Sequence, residues 1–449
     1  MKICFLPIDN RPVCYNLIKN IVAIDDDIEL YLPPREFLGD LTKTANIEYL
    51  FKWLKNVPKV DAIILSLDTI AYGGLISSRR SEESFEEIKS RVENLKNILK
   101  EKDAKIYAFS SIMRISNNNY NEEEKEYWST YGKKIFDYSY HTHKNGVFAC
   151  ESCIQKLIPD NILNDYMQTR KRNFEINKIY LDWQKEGFFE LLIFSKDDCA
   201  EFGFNVMEAL ELEKLGGKIK TGADEIPLTL LARAIKKEVK VYIEYTEPEF
   251  KDSISNYEDI SIEKSVLAQL ELAQITVTKS LEDADLVLIV NNFREKQGEL
   301  VMNWDTLPFS KKLVLPNKPY AIADVRFANG ADNNFVEQLL ENFVYEDFYG
   351  YSGWNTSANT LGSLLAGVKV KFKAKKYNPK AFSDLQMIRF LDDWGYQANV
   401  RSKIEFPCEI KNMMNKYENF LAKKLDFKNI ADISYTYPWN RKFEIEITI

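Results

Sequence analysis

Residues 62–67 read AIILSL, with Asp68-Thr69 directly after them. A run that is apolar on both faces suits a central strand of a parallel sheet, because helices cover both sides of such a strand. Working outward, KICFLP (2–7) and IELYLP (28–33) precede it and KIYAFSS (105–111) follows. Helical segments separate these strands. Pro12 opens one at about residues 12–23, where a missing N–H costs nothing because first-turn N–H groups have no helical acceptor. A second covers about 45–56, and Glu- and Lys-rich periodicity from Glu82 to Lys102 marks a long amphipathic third. The order βαβαβαβ is that of an α/β fold built on a mainly parallel sheet.

Beyond a mostly helical, polar stretch at about 121–187, the alternation resumes. FFELLIF (188–194), a segment near 217–221, VKVYIEY (239–245), DLVLIVN (285–291) and PYAIADV (319–325) read as strands. Helices are expected near 205–215, 225–237, 260–272 and 332–343. The tail holds a helix, LQMIRFLDDWGY (385–396), and the alternating strand FEIEITI (443–449). The expected organisation is an N-terminal α/β module (1–150), a helical connection (151–187), a second α/β module (188–370) and a C-terminal extension (371–449). Two doubly wound modules or one elaborated barrel fit this order. Both place a ligand outside the carboxyl ends of the strands.

Composition narrows the function classes. The 449 residues are 45% hydrophobic and 29% charged, ordinary for a folded chain of two or three domains. The 24 Tyr and 27 Phe suit polar clefts, although low-GC codon usage explains them equally well. Net charge is −8 with both signs interspersed, so no basic stripe suggests nucleic acid as a partner. The opening MKICFLPIDNRP lacks the long apolar run of a signal peptide, and no stretch approaches the ~20 apolar residues of a membrane helix. A cytoplasmic location without membrane contact is therefore expected. Of Cys4, Cys14, Cys150, Cys153, Cys199 and Cys408, only Cys150 and Cys153 form a C-x-x-C pair. With no second pair to complete a zinc site, free thiols are expected.

Polar clusters fall at the strand ends. They are Asp9-Asn10-Arg11 after the first strand, Asp68, Tyr72 and Arg79 after the third, and Arg114 after the fourth. Asp197-Asp198, Asp224-Glu225, Asn329 with Asp332, and Trp354-Asn355 with Asn359 follow later strands. Each has a plainer explanation. Asp224 and Asp332 suit helix caps, Gly73-Gly74 a turn, and the Trp354 segment a helix entry with Thr356 as cap. Coincidence across several strand ends, rather than any one motif, favours a site.

The segments LPIDNRP (6–12), SLDTIAYGGLISSR (66–79), IMR (112–114), RKRN (170–173), SKDDCAEFG (195–203), GADE (222–225), NGAD (329–332) and YSGWNTSANTLG (351–362) stand together in order. In that combination the chain resembles the bacterial family called domain of unknown function 4127, from about residue 2 to residue 365. That family's usual opening has two consecutive acids where this chain has Asp9-Asn10. The resemblance implies a fold and site positions, and no particular reaction.

Chemistry has to come from the residue types. His141 and His143, in YHTHK, are the only histidines and are expected in a polar surface loop. Their scarcity argues against a Ser-His-Asp triad or a His-rich zinc centre. The nicotinamide, P-loop and serine-hydrolase motifs are missing. Carboxylates remain. Two acids flanking a scissile bond form the glycosidase arrangement. The candidates are Asp9, Asp68, Asp197, Asp198, Asp224 and Glu225, with Asp68 and Asp198 favoured as the pair. Arg11, Arg79, Arg114 and Arg172 would orient a polar substrate, joined by Tyr72, Asn329, Asp332, Trp354, Asn355 and Asn359. The expected activity is hydrolysis of a glycoside or sugar derivative without cofactor or resident metal. A Mg²⁺- or Mn²⁺-dependent enzyme using Asp9, Asp68 and Asp197 as ligands is the first alternative, and a cytosolic sugar sensor without catalysis the second.

Overall fold

A computed structural model describes residues 1–146, 154–197, 199–372, 374–425 and 427–449. Asp198 and the Cys150–Cys153 pair lie outside the described residues. The strands of the first sheet are β1 (Lys2–Leu6), β2 (Glu29–Tyr31), β3 (Ala62–Ser66), β4 (Lys105–Ile112), β5 (Leu191–Lys196) and β6 (Lys218–Thr221). Those of the second are β7 (Lys240–Tyr245), β8 (Thr276–Val277), β9 (Leu286–Asn291), β11 (Tyr320–Asp324) and β13 (Phe348–Ser352). Short strands β10 (Gly298–Glu299) and β12 (Phe327–Ala328) pair with each other, as do β14 (Ser434–Thr436) and β15 (Glu446–Thr448).

The helices are α1 (Pro12–Val22), α2 (Ile47–Asn56), α3 (Leu67–Tyr72), α4 (Ser77–Arg80), α5 (Phe85–Lys100), α6 (Trp128–Asn145) and α7 (Asp160–Lys185). After these come α8 (Phe204–Lys214), α9 (Ile226–Ala234), α10 (Ile262–Leu272), α11 (Asn333–Glu341), α12 (Ser357–Lys371), α13 (Pro379–Arg389) and α14 (Ile410–Lys424). The chain forms two compact units. One contains Met1–Tyr15, Leu30–Pro227 and Tyr257–Asp259; the other contains Asn16–Glu29, Leu228–Asn256 and Ile260–Ile449.

Each unit carries its own open sheet, so paired doubly wound sheets, not a closed barrel, are what the alternation produces. The first sheet runs β2-β1-β3-β4-β5-β6, with β1, β3, β4, β5 and β6 joined by parallel pairing. The second runs β13-β11-β9-β7-β8, parallel throughout. Strand order reverses between β1 and β3 in one and between β7 and β9 in the other, which are the topological switch points of such sheets.

β3 is buried at every residue, as its two-sided apolar sequence requires. Helix α5 packs Ile88, Val92, Leu95 and Leu99 into the same core at helical spacing. It starts at Phe85 rather than Glu82 because Ser84 and Glu87 close a capping box there. Gly39 and Gly73 meet without side chains: a Cβ on Gly39 would lie 2.2 Å from the Gly73 carbonyl oxygen, and Gly73 has φ +87°. In the second unit α12 is buried from Ser357 to Val370. Its serines, alanines and glycines let it sit that deep.

Two expectations are corrected. His141 and His143 lie on α6, not in a loop, and the His143 Nδ1 accepts from the Gly203 N–H at 3.0 Å. Two residues apart on a helix, the rings point to different sides and do not face one ion. The helix expected at 385–396 is α13 followed by a π-helical segment, Phe390–Val400. No helix among the described residues is long and apolar enough to cross a membrane.

Leu65 lies in β3 with no exposed surface. Leu65→Ala should cost about 2–5 kcal/mol, lost transfer energy plus a cavity that packed neighbours cannot fill. Urea unfolding should show this as a lower midpoint at unchanged slope.

Candidate functional site

The carboxyl end of the first sheet carries two arginine–carboxylate clusters. Arg11 follows β1. Its Nε and Nη2 reach Asp9 Oδ2 at 2.9 and 2.8 Å, and its backbone N–H donates to Asp9 Oδ1 at 3.0 Å. The same Nη2 contacts Asp224 Oδ1 at 2.6 Å, and Nη1 lies 3.4 Å from Asp224 Oδ2. Asp224 follows β6, at the sheet edge and four places from β1. With strands about 4.8 Å apart, the segment after β6 must turn back across the strand ends to meet Arg11. Asp224 therefore serves as an ion-pair partner.

The second cluster joins the ends of β3, β4 and β5. Arg79 contacts Glu124 at 3.2 Å, Glu123 at 3.5 Å and Asp197 at 3.3 Å. Arg114 contacts Glu123 at 2.8 Å, Glu124 at 3.2 Å and Asp197 at 3.6 Å. Each cluster retains access to solvent. The Asp197 and Asp224 side chains are 18% and 14% exposed.

Asp68 is different. It is 1% exposed and accepts the Ser111 N–H at 2.8 Å, with the Ser110 and Ser111 hydroxyls also bonded to it. Burial pushes its carboxyl up to about 7, and those donors keep it from rising further. Tyr72 is buried, its ring under the Arg172 guanidinium at 5.6 Å, and Glu225 is buried too. Arg172 was expected to grip substrate. Its donors instead go to the Ser78, Ser81 and Glu83 carbonyls and to the Asn173 side chain, so it clamps α4 to α7. Asp9, Asp68 and Asp197, the alternative cation ligands, are held by Arg11, by Ser111 and by Arg79 with Arg114. Among the described residues no three His, Cys, Asp or Glu side chains are arranged to hold a metal ion.

Asn329, Asp332, Trp354, Asn355 and Asn359 belong to the second unit and gather at the carboxyl end of its sheet. Asp332 caps α11, accepting the Asn334 N–H at 3.0 Å, and also accepts the Phe309 N–H at 2.6 Å. Asn329 and Asn355 take left-handed backbones, φ 60° and 76°, and the Asn329 N–H donates to the Asn355 carbonyl. The Asn329 amide donates to Glu299 at 2.6 Å, and the Asn359 amide to Asn355 Oδ1 at 3.2 Å. Trp354 is 2% exposed and packs on Phe443, so its ring offers no open face to a sugar. Thr356 is the N-cap residue of α12 without a side-chain capping bond.

Around these five lies a sealed polar lattice that sequence reasoning passed over. Asp324, ending β11, accepts from Asn291 at 2.8 Å, the Tyr351 hydroxyl at 3.1 Å and the Asp332 N–H at 2.9 Å. Burial, then the nearby Asp332 charge, raises its carboxyl well above the usual range. Arg326 spans Asp332 at 3.3 Å and Glu247 at 3.2 Å. Arg389 pairs with Asp393 at 3.1 Å, and Asp393 accepts the Gly353 N–H at 2.6 Å. Asp324 and Asn291 carry the same signal as Asp9, a polar residue at the end of an apolar run. Arg389 and Asp393, one helical turn apart, look in sequence like an ordinary solvent-facing pair.

The model of a family described as "Protein of unknown function (DUF4127)" matches residues 3–448. No curated protein matches the chain.

The state of Asp68 sets a pH dependence. Its folded-state value near 7 exceeds the ~3.9 of an unfolded aspartate. The native state therefore binds the proton more tightly, and stability present at low pH is lost as pH rises through that window. Asp68→Asn keeps an acceptor for Ser111 and removes the titration. The melting temperature of the variant minus that of the parent should be larger at pH 8 than at pH 5. Equal differences would mean Asp68 is not protonated in the fold.

Proposed function

The chain belongs to the DUF4127 family, whose description names no reaction, and from the residues themselves we propose a glycoside hydrolase acting through Asp9 and Asp224. The observation that carries this reading is their shared partner. Asp9 Oδ2 and Asp224 Oδ1 contact one nitrogen of Arg11, at 2.8 and 2.6 Å. The two oxygens can be no farther apart than the sum of those contacts. That upper limit lies below the ~6.5–9.5 Å that leaves room for an inverting water, which supports the closer pairing of retaining glycosidases, about 5–5.5 Å. Asp9, held by three Arg11 donors, is the fixed nucleophile. Asp224, the more exposed of the two, is assigned the acid–base role beside it.

The second cluster serves binding. Asp197 sits on Arg79 and Arg114 with part of its side chain open to solvent. It can accept from a substrate hydroxyl while the arginines hold its orientation. Arg11 also supplies the positive charge between Asp9 and Asp224 that a cation would supply in a metal-dependent enzyme, which favours acid–base chemistry over the Mg²⁺ alternative.

A panel of 4-nitrophenyl glycosides tests the assignment. Turnover of one member should fall about 10²–10⁴-fold in both Asp9→Asn and Asp224→Asn with folding intact by circular dichroism. NMR of the first-formed sugar should show retained anomeric configuration. Turnover that survives both substitutions, or an inverted product, removes the pair from its role.

A further inference from the structure

In the first unit, a pocket of about 650 Å³ lies between the end of α4, the segment leading into α6 and the start of α7. That is room for a small molecule, since ligand pockets run from ~300 to ~1,000 Å³. Glu82 and Glu126 at its mouth are exposed, so the pocket opens to solvent. The half-buried Tyr127 and Ile162 give it a partly apolar wall. Glu124 lines it from the inner side and is 6% exposed.

The cations and the acids that line this pocket differ in what they have left to bind. Lys125 spends its ammonium on both Asp165 oxygens, at 2.7 Å each, and on the Thr169 hydroxyl at 3.2 Å. Arg80 donates to the carbonyls of Leu41, Asn121, Glu122 and Glu124. Both cations are thus committed within the chain. The acids are not. Glu124 Oε1 accepts from Arg79 and Arg114, at 3.2 Å each. Its Oε2 has no hydrogen bond among the described residues and is not shut off from solvent. Among the same residues the side chains of Glu82 and Glu126 make no hydrogen bond or ion pair.

A nearly buried carboxylate oxygen without a partner calls for a donor, and a charged donor gains most. A metal ion would need several acids around one point, and the described residues hold no such group. These acids run instead from the inner wall to the mouth, beside apolar surface. We propose that the pocket binds a small organic cation. Its primary ammonium donates to Glu124 Oε2, its carbon chain lies along Tyr127 and Ile162, and Glu82 and Glu126 hold positive charge at the mouth. Neither Asp9 nor Asp224 takes part, so the pocket fills whether or not that pair is catalytic.

Isothermal titration calorimetry of the full chain with 1,4-diaminobutane tests this, with 1,4-butanediol as the uncharged control of equal length. Saturable binding of the diamine and none of the diol is expected. Glu124→Gln keeps the shape and removes the charge, while Arg79 retains Glu123 and Asp197. It should weaken binding about tenfold or more, the loss expected of a hydrogen bond to a charged group. If circular dichroism shows that this variant does not fold, Glu82→Gln with Glu126→Gln decides instead. Both side chains are exposed, and together their loss should weaken binding about threefold or more. Absence of saturable binding, or equal binding of the diol, would overturn the proposal. So would a folded Glu124→Gln chain that binds as tightly as the parent or, where that chain does not fold, an unchanged affinity in the double variant.

Discussion

A charge taken out of water must find its opposite or take up a proton, and the strand ends of both sheets are built around that constraint. Leaving a buried ion without its partner costs about 3–5 kcal/mol, a large share of the stability of an ordinary domain. Asp9, Arg11 and Arg79 are all nearly fully buried. Each therefore obliges distant segments to converge. Arg11 draws the segment after β6 back across the sheet, and Arg79 with Arg114 gathers the chain after β3, β4 and β5. The clusters are thus a consequence of charge balance at the edge where loops and helix entries meet.

The two units meet this constraint differently. In the first, each cluster leaves Asp197 or Asp224 partly open to solvent. In the second, Asp324, Asp332 and Asp393 are closed in by backbone N–H groups, amides and the buried Arg326 and Arg389. A sealed lattice fixes loop geometry, including the left-handed backbones of Asn329 and Asn355. An open cluster can meet a substrate. That contrast, rather than the number of acids, places the proposed chemistry on the first sheet.

Strands and helices were legible because their signal is local. Two-sided apolar runs such as AIILSL and DLVLIVN become central strands, and the periodicity from Glu82 to Lys102 becomes α5 once Ser84 caps it. The polar residues ending those runs were legible for the same reason. Their roles were not. Arg172 carries the same charge as Arg11, yet its donors are spent on carbonyls of the α4 segment. Trp354 had the chemistry of a sugar platform and lies inside the core. Glu123 and Glu124 read as part of a polar helical stretch, although they complete the Arg79 cluster.

The sequence by itself determined the fold class, the alternation that produces two parallel sheets, and the edge at which charged residues collect. These depend on hydrophobic period and turn chemistry within about ten residues. Only the tertiary structure decided which acid meets which arginine, which side chains keep a path to solvent, and that Asp68 holds its proton to about 7. Pairing and exposure depend on distances between residues as far apart as Arg11 and Asp224. Desolvation is a property of everything packed around a group, which no local pattern records.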